Sequence, residues 1–555
     1  MGLNKTSYLT LRLIPVLLLI GIVSACRPRI SRSPITSLKP LQASLPQDST
    51  VQVYFNQAQT AVYTEPYRQQ TRPGDNLEQI IAETILGADA TVDVAVQELR
   101  LPGIAAAMVQ QHQAGVKVRL ILEHTYSRPW SSFSTTATAR LPERDRQQYD
   151  EFVQLADMNQ DGQLSQAEIN QRDALVMIFN AGIPWIDDTA DGSKGSGLMH
   201  HKFVVVDGRT VVVTSANFTT SDVHGDFANP DSRGNVNNLI KLESPSLAVL
   251  FTQEFNLMWG DGPGGQTDSL FGTQKPYREP QAVTVGNTQV TVQFSPTART
   301  QPWSGSSNGL INQVLAGSQG SVDFALFVFS AQELVNTLEQ RSQAQVTIQG
   351  LIDPNFAYRD YSEALDMAGI AAPNQCKYEA GNRPWAKPIS TVGVPSLPPG
   401  DKLHHKFGLV DDAIVIAGSH NWTEAANTLN DETVLVIKNP TVAAHFHQEF
   451  ERLYQDARLG IPESVREKFN VELKTCGNSI VAPPAPLQID PTQRINLNRA
   501  TLAELESLPG IGPKLAQQIV TTRQQQPFTS LADLQRVPGV GPKLIEQLKD
   551  FVVVQ

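Results

Sequence analysis

Apolar residues along most of the chain occur in short runs separated by stretches with helical spacing, and this pattern is present twice. Three pairs of segments match between the copies: 51–57 with 290–296, 92–95 with 322–325, and 253–255 with 448–450. Helical stretches such as 103–114 and 331–342 lie between the β-rich runs. This alternation is typical of α/β folds, and the repeat indicates a duplication. The sequence therefore predicts two α/β halves related by a pseudo-twofold axis, with equivalent residues at one cleft.

Each half contains the same arrangement of polar residues. The first reads His-His-Lys-Phe-Val-Val-Val-Asp from His200, and the second reads His-His-Lys-Phe-Gly-Leu-Val-Asp from His404. Each is predicted to form a strand, a tight turn at the aspartate and a returning strand. Residues two apart in a strand share a face, so the first histidine and the lysine lie together, and His201 and His405 point away. The predicted cleft residues are His200, Lys202, Asp207, Ser215, Asn217, His404, Lys406, Asp411, Ser419 and Asn421.

These residue types suit the cleavage of phosphodiesters. Lysine ammonium groups, with serine and asparagine side chains, supply the charge and the donors that the non-bridging oxygens require. A neutral imidazole can attack phosphorus and form a phosphoramidate. A second, protonated imidazole can donate a proton to the leaving oxygen and later accept one from water. One histidine from each half satisfies both roles, whereas a lone His-x-Lys pair is commonly a surface feature of a strand.

The paired motifs resemble the His-Lys-Asp signatures of the phospholipase D superfamily over about residues 50–460. The resemblance implies an α/β/α sandwich for each half and a phosphohistidine mechanism without a catalytic metal. It also implies that His200 is the nucleophile, that His404 is the acid, and that Asp207 and Asp411 are structural.

Family members also place an acidic residue beyond the motif, where it orients the histidine. Glu432 fits that role in the second half, whereas Asn237 occupies the matching position in the first half. Thr214 also replaces the usual glycine. These departures leave the assignment of roles to the two histidines open.

The N-terminus has the pattern of an export signal. Basic residues precede an apolar run at 13–23, and Val-Ser-Ala-Cys follows, ending at Cys26. The run is short for a membrane span, and the last four residues resemble a bacterial lipobox, in which the cysteine is lipidated. We expect an exported lipoprotein that Cys26 anchors to a membrane, in the periplasm or at the cell surface. A cleaved signal without lipid and an uncleaved anchor are the alternatives. Cys376 and Cys476 would form a disulfide or remain separate thiols.

The C-terminal tail contains two Gly-x-Gly turns between predicted helices. Glycine permits positive φ angles in such turns, and the N–H groups that begin the following helix can bind a phosphate. From Arg494 onward the chain has seven basic and five acidic residues, whereas the remainder has 37 basic and 50 acidic. Residues 490–555 resemble the tandem helix-hairpin-helix domain of bacterial competence DNA receptors, which implies sequence-independent contacts with DNA phosphates. A protein-interaction module is the alternative. The predicted DNA-binding residues are Gly510, Gly512, Lys514, Gly539, Gly541 and Lys543.

One loop of the first half resembles an EF-hand calcium site. It lies between predicted helices at 142–156 and 167–180, and Gly162 occupies the sixth position, where the loop must turn sharply. We expect it to bind a structural calcium ion; a solvated acidic turn is the alternative. The predicted ligands are Asp157, Asn159, Asp161, Gln163 through its carbonyl, Ser165 and Glu168.

The composition sets the broad organisation of the protein. A chain of 555 residues with 41% hydrophobic and 18% charged residues indicates several folded domains. A formal charge of −11 excludes a protein that coats nucleic acid with its whole surface. The predicted boundaries are a signal peptide and lipobox at 1–26, a flexible linker at 27–48, half 1 at 49–285 with the EF-hand-like insertion at 157–168, half 2 at 286–470, a linker at 471–490, and a small all-α helix-hairpin-helix domain at 491–555.

Three functions fit these features. The first is an extracytoplasmic DNA endonuclease whose tail holds DNA for the twin-histidine cleft. The second is a phospholipase D or transphosphatidylase that acts on phosphatidyl lipids. The third is a DNA receptor whose duplicated domain is inactive, although the intact motifs count against it. We expect the protein to act as a monomer.

Overall fold

The computed structural model describes residues 42–193, 195–379 and 381–477, and in the C-terminal segment 495–500, 505, 508, 511, 513–541, 544–545, 548–549 and 552–554. The predicted signal peptide, Cys26 and the first part of the predicted linker lie outside these residues. Within the described ranges, no helix has both the length and the apolar character needed to cross a membrane.

In the described ranges, twenty strands form two large sheets and two small ones. The strands are β1 Val51–Phe55, β2 Val62–Thr64, β3 Thr71–Pro73, β4 Thr91–Val96, β5 Lys117–Leu122, β6 Trp185–Asp187, β7 Lys202–Val206, β8 Thr210–Thr214, β9 Asn238–Glu243, β10 Gln281–Val285, β11 Thr288–Phe294, β12 Ser321–Leu326, β13 Thr347–Ile352, β14 Val392–Val394, β15 Lys406–Val410, β16 Ile414–Gly418, β17 Thr433–Lys438, β18 Arg458–Leu459, β19 Ile495–Asn496 and β20 Val552–Val553.

Helices connect the strands and cover the sheets. They are α1 Leu77–Leu86, α2 Pro102–Gln113, α3 Thr135–Thr138, α4 Glu143–Ala156, α5 Gln166–Arg172, α6 Ala174–Ala181, α7 Thr220–Val223, α8 Pro245–Trp259, α9 Ser307–Ala316, α10 Gln332–Gln343, α11 Glu363–Met367, α12 Glu424–Thr428, α13 Pro440–Tyr454, α14 Glu463–Cys476 and α15 Pro513–Gln525.

The order of the strands demonstrates the duplication. The first sheet has the order β1-β9-β8-β7-β4-β5-β6, and the second has the order β10-β11-β17-β16-β15-β12-β13-β14-β18. Seven strands of the second sheet repeat the first, and β10 and β18 extend its two edges. In both sheets the strand that begins at the motif lysine is central and forms an antiparallel hairpin with the next strand. The predicted duplicated α/β fold is confirmed.

The two halves share one hydrophobic core at their inner faces. Phe251 of α8 packs edge-to-face against Phe203 of its own sheet and against Phe294 of the other half. On the opposite side, α13 inserts Phe446 against strands of both halves, with ring centroids 5.0 and 5.3 Å from its neighbours. Helices α1, α2 and α6 cover the outer face of the first sheet, and α9, α10 and α11 cover that of the second. The layers therefore hold the two sheets in a fixed arrangement.

Several domain, linker and helix boundaries lie at other residues than the sequence predicts. The β10 strand pairs with β11, so the predicted division after residue 285 cuts a hairpin of the second sheet. The predicted linker from 471 begins inside α14, which continues to Cys476 and is joined to the second half by the Cys376–Cys476 disulfide. The predicted helix at 167–180 is two helices, because Asp173 ends α5 and caps α6 through hydrogen bonds from the N–H groups of residues 175 and 176.

The end of the predicted N-terminal linker is also bound to the fold. Asp48 Oδ2 accepts a hydrogen bond of 2.9 Å from Asn439, the residue that caps α13. The carbonyl oxygen of Pro46 lies 3.2 Å from His445 Nε2 on the same helix. Residues 42–48 therefore anchor the chain before β1.

The described part of the tail has its own small core. Apolar residues of α15 and of a 3₁₀ helix at Leu531–Arg536 pack together, with Ile519 and Leu534 fully buried. The β19 and β20 strands form a two-residue parallel pair that the all-α prediction missed. Gly539 has a φ angle of 96°, as the first turn glycine of the second hairpin requires. Gly510, Gly512 and Lys543 lie outside the described residues, as does the side chain of Lys514.

Candidate functional site

Backbone pairing between the halves brings the two histidine motifs together. Met199 forms a parallel bridge with Asp431 of the other half, and Val236 forms the equivalent bridge with Leu403. The His200 N–H donates to the Asp431 carbonyl over 2.9 Å. The backbone of the opposite half therefore holds each motif in place, at its first histidine or at the residue before it. This arrangement places both histidines at the junction of the two sheets.

Each histidine is oriented by a side chain of the opposite half. His200 Nδ1 lies 2.6 Å from Glu432 Oε2, and His404 Nδ1 lies 3.0 Å from Asn237 Oδ1. Glu432 thus has the predicted orienting role, and it acts on the histidine of the other half. Eight per cent of each histidine side chain is exposed, whereas Glu432 is fully buried. Since Nδ1 of each ring is engaged, Nε2 is the atom available for a substrate.

The two lysines lie beside the histidines but differ in their surroundings. Lys202 Nζ donates to Gln97 Oε1 over 3.2 Å, whereas Lys406 Nζ lies over the ring of Phe327, 5.3 Å from its centroid. Burial lowers the pKa of Lys202 to about 8, and burial together with the charge of Lys202 lowers the pKa of Lys406 well below its ordinary value. The Glu432 and Asp222 carboxylates offset part of this effect on both lysines. Two neighbouring ammonium groups favour the binding of an anion.

The protonation of the histidines follows from the same charges. Burial, and then the charges of Lys202 and Lys406, lower the pKa of both His200 and His404 well below the ordinary value. Both rings are therefore neutral without substrate at neutral pH. A bound phosphodiester would bring negative charge to the site and raise both pKa values. The site is thus arranged so that an anionic substrate promotes protonation of one histidine.

The predicted serine donors have a different role. Ser215 Oγ donates to Asn237 Oδ1 over 2.7 Å, and Ser419 Oγ donates to Glu432 Oε2 over 2.8 Å. Both hydroxyl groups hold the residues that orient the histidines, and their contact with phosphate oxygens stays a prediction. Asn217 and Asn421 also lie after the returning strands, and their Oδ1 atoms are buried without a hydrogen-bond partner within the described part of the chain.

The motif aspartates lie at the opposite ends of their strands from the histidines. Asp207 accepts three hydrogen bonds from the N–H groups of residues 89–91, and Asp411 accepts bonds from those of residues 319–321. Both have positive φ angles, 51° and 52°, in the turns between strands. Their inclusion among the catalytic residues is therefore corrected, whereas the implied structural role agrees with these contacts.

Sequence reasoning missed three residues of the site. Gln97 follows β4, and Phe327 follows the equivalent strand β12. The ring centroid of Phe327 lies 4.8 Å from that of His404. Asp222 Oδ1 lies 3.6 Å from His404 Nδ1. Alignment of the two halves by their strands would have found Gln97 and Phe327, because both directly follow the matched segments.

The EF-hand-like loop has part of the expected geometry. Asp157 accepts hydrogen bonds from the N–H groups of Asp161 and Gly162, so the carboxylate of this first predicted ligand points toward the centre of the loop. Glu168 accepts bonds from the N–H groups of residues 158 and 159 and from Ser165. Its bidentate binding to an ion would replace some of these bonds. The carboxylate and amide oxygens are the ligands that Ca²⁺ prefers, and calcium binding remains a prediction.

We expect calcium to stabilise the first half. A single loop of this kind binds at about 10⁻⁴ to 10⁻³ M, so 5 mM Ca²⁺ should raise the melting temperature by roughly 2–4 °C. Differential scanning fluorimetry with Ca²⁺, and with Mg²⁺ at equal ionic strength, measures the effect. Asp157→Asn combined with Glu168→Gln should remove it. An equal shift in that variant would show that the ion binds elsewhere.

Comparisons with known proteins agree with this geometry. The family described as "Cardiolipin synthase, PLD-like domain" matches residues 81–259 and 311–454, and the helix-hairpin-helix motif matches residues 490–553. The mitochondrial cardiolipin hydrolase of Xenopus laevis is 27% identical over 144 residues, 26% of this chain and 58% of that protein. The enzyme of the same name from Mus musculus is 27% identical over 157 residues, 28% of this chain and 61% of that protein. The chain thus spans about three fifths of the length of these relatives.

Solved structures are also similar. Phosphatidylserine synthase from Haemophilus influenzae covers 79% of this chain and 94% of its own, with a TM-score of 0.45 and 14% identity. The phospholipase D family member Nuc from Salmonella typhimurium covers 32% of this chain and all of its own, with a TM-score of 0.25 and 23% identity. Because the phospholipase D-like match alone spans more than half of the 555 residues, the chain belongs to the phospholipase D-like family.

Proposed function

We propose that this protein is an exported phosphodiesterase that cleaves DNA as an endonuclease through a phosphohistidine intermediate. The helix-hairpin-helix match at 490–553 is the observation that favours DNA over lipid, since this motif suggests nucleic-acid binding. The two histidines, the two lysines and Glu432 form the reacting centre. The chemistry requires no metal ion.

In the first step, His200 Nε2 attacks the phosphorus atom. The new N–P bond forms as the bond to the leaving oxygen breaks, and His404 donates a proton to that oxygen. Glu432 holds the proton on His200 Nδ1, which leaves the Nε2 lone pair free, and it stabilises the positive charge that develops on the ring. Lys202 and Lys406 stabilise the non-bridging oxygens.

In the second step, water attacks the phosphorus and the N–P bond breaks. The neutral His404 accepts a proton from that water, and the electron pair of the broken bond returns to His200 Nε2. The products are a phosphomonoester and an alcohol, and both histidines return to their starting protonation states. The neutral resting state suits His200, because the nucleophile must be unprotonated before it attacks, whereas His404 gains its proton when the anionic substrate raises its pKa.

The hairpin geometry supports a phosphate-binding role for the tail. The N–H groups of Leu544 and Ile545 donate to the carbonyl of Gly541, so a helical turn begins at the second hairpin. Among the described residues, a Cβ atom at Gly541 would meet no other atom within 4 Å, which leaves space beside the backbone. A DNA phosphate could approach this backbone closely, as binding through main-chain N–H groups requires.

Export rests on two further observations. The Cys376–Cys476 disulfide favours an oxidising compartment, where such bonds persist. The lipobox pattern that ends at Cys26 supports a membrane-anchored lipoprotein in the periplasm or at the cell surface. Palmitate labelling of the wild type, and its loss in Cys26→Ser, would test the anchor.

The second candidate is a lipid-cleaving enzyme, and the names of the relatives favour it. Cardiolipin hydrolases and a phosphatidylserine synthase are among the similar proteins. Parallel assays with supercoiled plasmid and with vesicles that contain cardiolipin or phosphatidylcholine separate the two candidates. Plasmid nicking without lipid cleavage supports the nuclease, and the reverse result supports the lipid enzyme. DNA binding without cleavage of any substrate supports the inactive receptor.

Removal of the tail should separate DNA binding from chemistry. Deletion of residues 490–555 should weaken binding to long duplex DNA by about tenfold or more at moderate salt. It should preserve turnover of bis(p-nitrophenyl) phosphate, because the reacting residues lie elsewhere. Fluorescence anisotropy over a salt series measures the binding, which should weaken steeply as salt increases.

A point variant provides a milder form of this experiment. Gly541→Val adds a side chain in open space, so the fold should persist while the approach of a phosphate is blocked. The binding defect should be sequence-independent, and it should exceed that of Lys543→Gln. Unchanged DNA affinity in both the deletion and Gly541→Val would contradict the role of the tail.

A further inference from the structure

A buried carboxylate in the first half has a dedicated partner. Asp93 lies in β4, and Arg119 of the neighbouring β5 donates to both of its oxygens over 2.7 and 2.8 Å. The guanidinium also stacks over Phe255 and Trp259, at 4.6 and 5.3 Å from their ring centroids. A bidentate, well-packed pair of this kind neutralises a charge that would otherwise be costly to bury.

The second half has the equivalent carboxylate but no arginine beside it. Asp323 occupies the equivalent position of β12, and its register partner in β13 is Gln349 instead of arginine. Asp323 is only 4% exposed, and its Oδ1 atom has no hydrogen-bond partner among the residues that the structure describes. An unpaired buried carboxylate is unfavourable, so something else must compensate for it.

Two other side chains converge on this carboxylate. Asp412, in the turn between β15 and β16, and His447, on α13, each place a ligand atom near it, and the three atoms lie within 4.8 Å of one another. His447 Nδ1 is 3.1 Å from Asp412 Oδ1, but the two atoms are not aligned for a hydrogen bond. This nitrogen is buried, and none of the described residues offers it a hydrogen-bond partner. Around a tetrahedral ion with bonds of about 2.0 Å, ligand atoms are roughly 3.3 Å apart.

The first half lacks both of these residues. Because Asp411 corresponds to Asp207, the position of Asp412 is taken by Gly208. Because α8 and α13 begin at equivalent prolines, the position of His447 is taken by Thr252. The aspartate and the histidine therefore occur in the half that lacks the arginine, where they face the carboxylate that the arginine would pair with.

We propose that Asp323, Asp412 and His447 bind a divalent transition-metal ion of the zinc class. Two carboxylates and one imidazole are a suitable ligand set for such an ion. The side chains of Asp412 and His447 are 63% and 44% exposed, so water completes the coordination. The ion replaces the positive charge of Arg119 and ties α13 and the β15–β16 turn to β12. Asp323 lies near the start of β12, at the end opposite Phe327, so the role of the ion is structural.

Cobalt spectroscopy on the mature full-length protein tests this site. The chelator-treated protein is kept in 5 mM Ca²⁺, so that the EF-hand-like loop does not compete, and it is titrated with Co²⁺ and with Zn²⁺. We expect one equivalent of Co²⁺ with visible ligand-field absorption, which Zn²⁺ displaces, and a rise in melting temperature with Zn²⁺. Phosphodiester turnover should be unchanged by the metal.

Substitutions that restore the residues of the first half provide the matched variants. Asp412→Gly with His447→Thr should weaken Co²⁺ binding at least tenfold, and Asp412 has a φ angle of 50°, which glycine accommodates. Adding Gln349→Arg to that pair should stabilise the metal-free protein by recreating the ion pair of the first half. Thr252→Ala is the control and should bind Co²⁺ as the wild type does.

Three outcomes would overturn the proposal. The first is the absence of any Co²⁺ absorption or Zn²⁺-dependent thermal shift in the wild type. The second is an unchanged Co²⁺ affinity in the Asp412→Gly/His447→Thr variant. The third is loss of binding in His124→Ala, since Glu123, His124 and Asp188 form another cluster of three ligand atoms in the first half.

Discussion

Alanine at either His200 or His404 is expected to lower phosphodiester turnover by about four orders of magnitude or more. Each ring presents one free nitrogen to a shared cleft. Because the two histidines act together in the reaction, the removal of either one should abolish almost all of the rate enhancement. Initial rates of plasmid nicking measure the effect. Retention of most of the activity in either variant would contradict the mechanism.

A substrate with a good leaving group separates the two histidines. Bis(p-nitrophenyl) phosphate needs little protonation of its leaving oxygen, so His404→Ala should still complete the first step and release one equivalent of p-nitrophenolate. The arylphosphoryl group should then remain on His200, because no base activates water. Mass spectrometry of the trapped peptide identifies the modified histidine, and a label on His404 would reverse the assigned roles.

The neighbouring histidines provide the controls. His201 is fully buried and hydrogen-bonded to Thr433 and Glu254, and His405 is bonded to Glu449. Glutamine at either position retains a hydrogen-bonding group away from the cleft. We expect these variants to keep turnover within about tenfold of the wild type once their folding has been checked by thermal melting.

The duplicated motif made the centre of the site predictable. His200, Lys202, His404 and Lys406 occur at identical spacing in matching positions of two repeats, and strand periodicity places each pair on one face. Local chemistry of this kind can be read from a single sequence, because it depends on residues only two apart. The turn that follows each strand was predictable for the same reason.

The contacts between the halves were not predictable in the same way. His200 and Glu432 are 232 residues apart, and their 2.6 Å contact depends on how the two halves pair. The roles of Ser215 and Ser419 follow from that pairing, because each hydroxyl is bound to the residue that orients a histidine. Propensity and spacing carry no information about such contacts. The approach of Asp412 and His447 to Asp323 could not be predicted for the same reason.

The two histidines differ in the charge of their partners, and this difference has a chemical consequence. The Glu432 carboxylate faces His200, the ring that becomes positively charged when the N–P bond forms. The neutral Asn237 amide is the hydrogen-bond partner of His404 Nδ1 at 3.0 Å, and the Asp222 carboxylate lies further from that atom, at 3.6 Å. The proton of His404 must leave readily. A carboxylate at position 237 would hold that proton more strongly. With the neutral amide there, burial and the charges of the two lysines keep the pKa of His404 low.

Glu432→Gln is expected to lower kcat on the order of 10²- to 10⁴-fold, with little change in the overall fold. The glutamine keeps the size of the side chain and an oxygen for Ser419, but it removes the negative charge, and its amide can select the wrong tautomer of His200. The size of the p-nitrophenolate burst and its rate constant locate the defect in the first step.

Asn237→Asp is the matched variant, and it should affect a different step. The new carboxylate should raise the pKa of His404. A general acid loses activity as pH rises through its pKa, so the alkaline limb of kcat with a DNA substrate should move to higher pH. The burst with bis(p-nitrophenyl) phosphate should change by less than about tenfold, because that first step needs little acid. A kcat for Glu432→Gln within a few-fold of the wild type, or an equal loss of the burst in both variants, would show that the charge beside His200 has no special role.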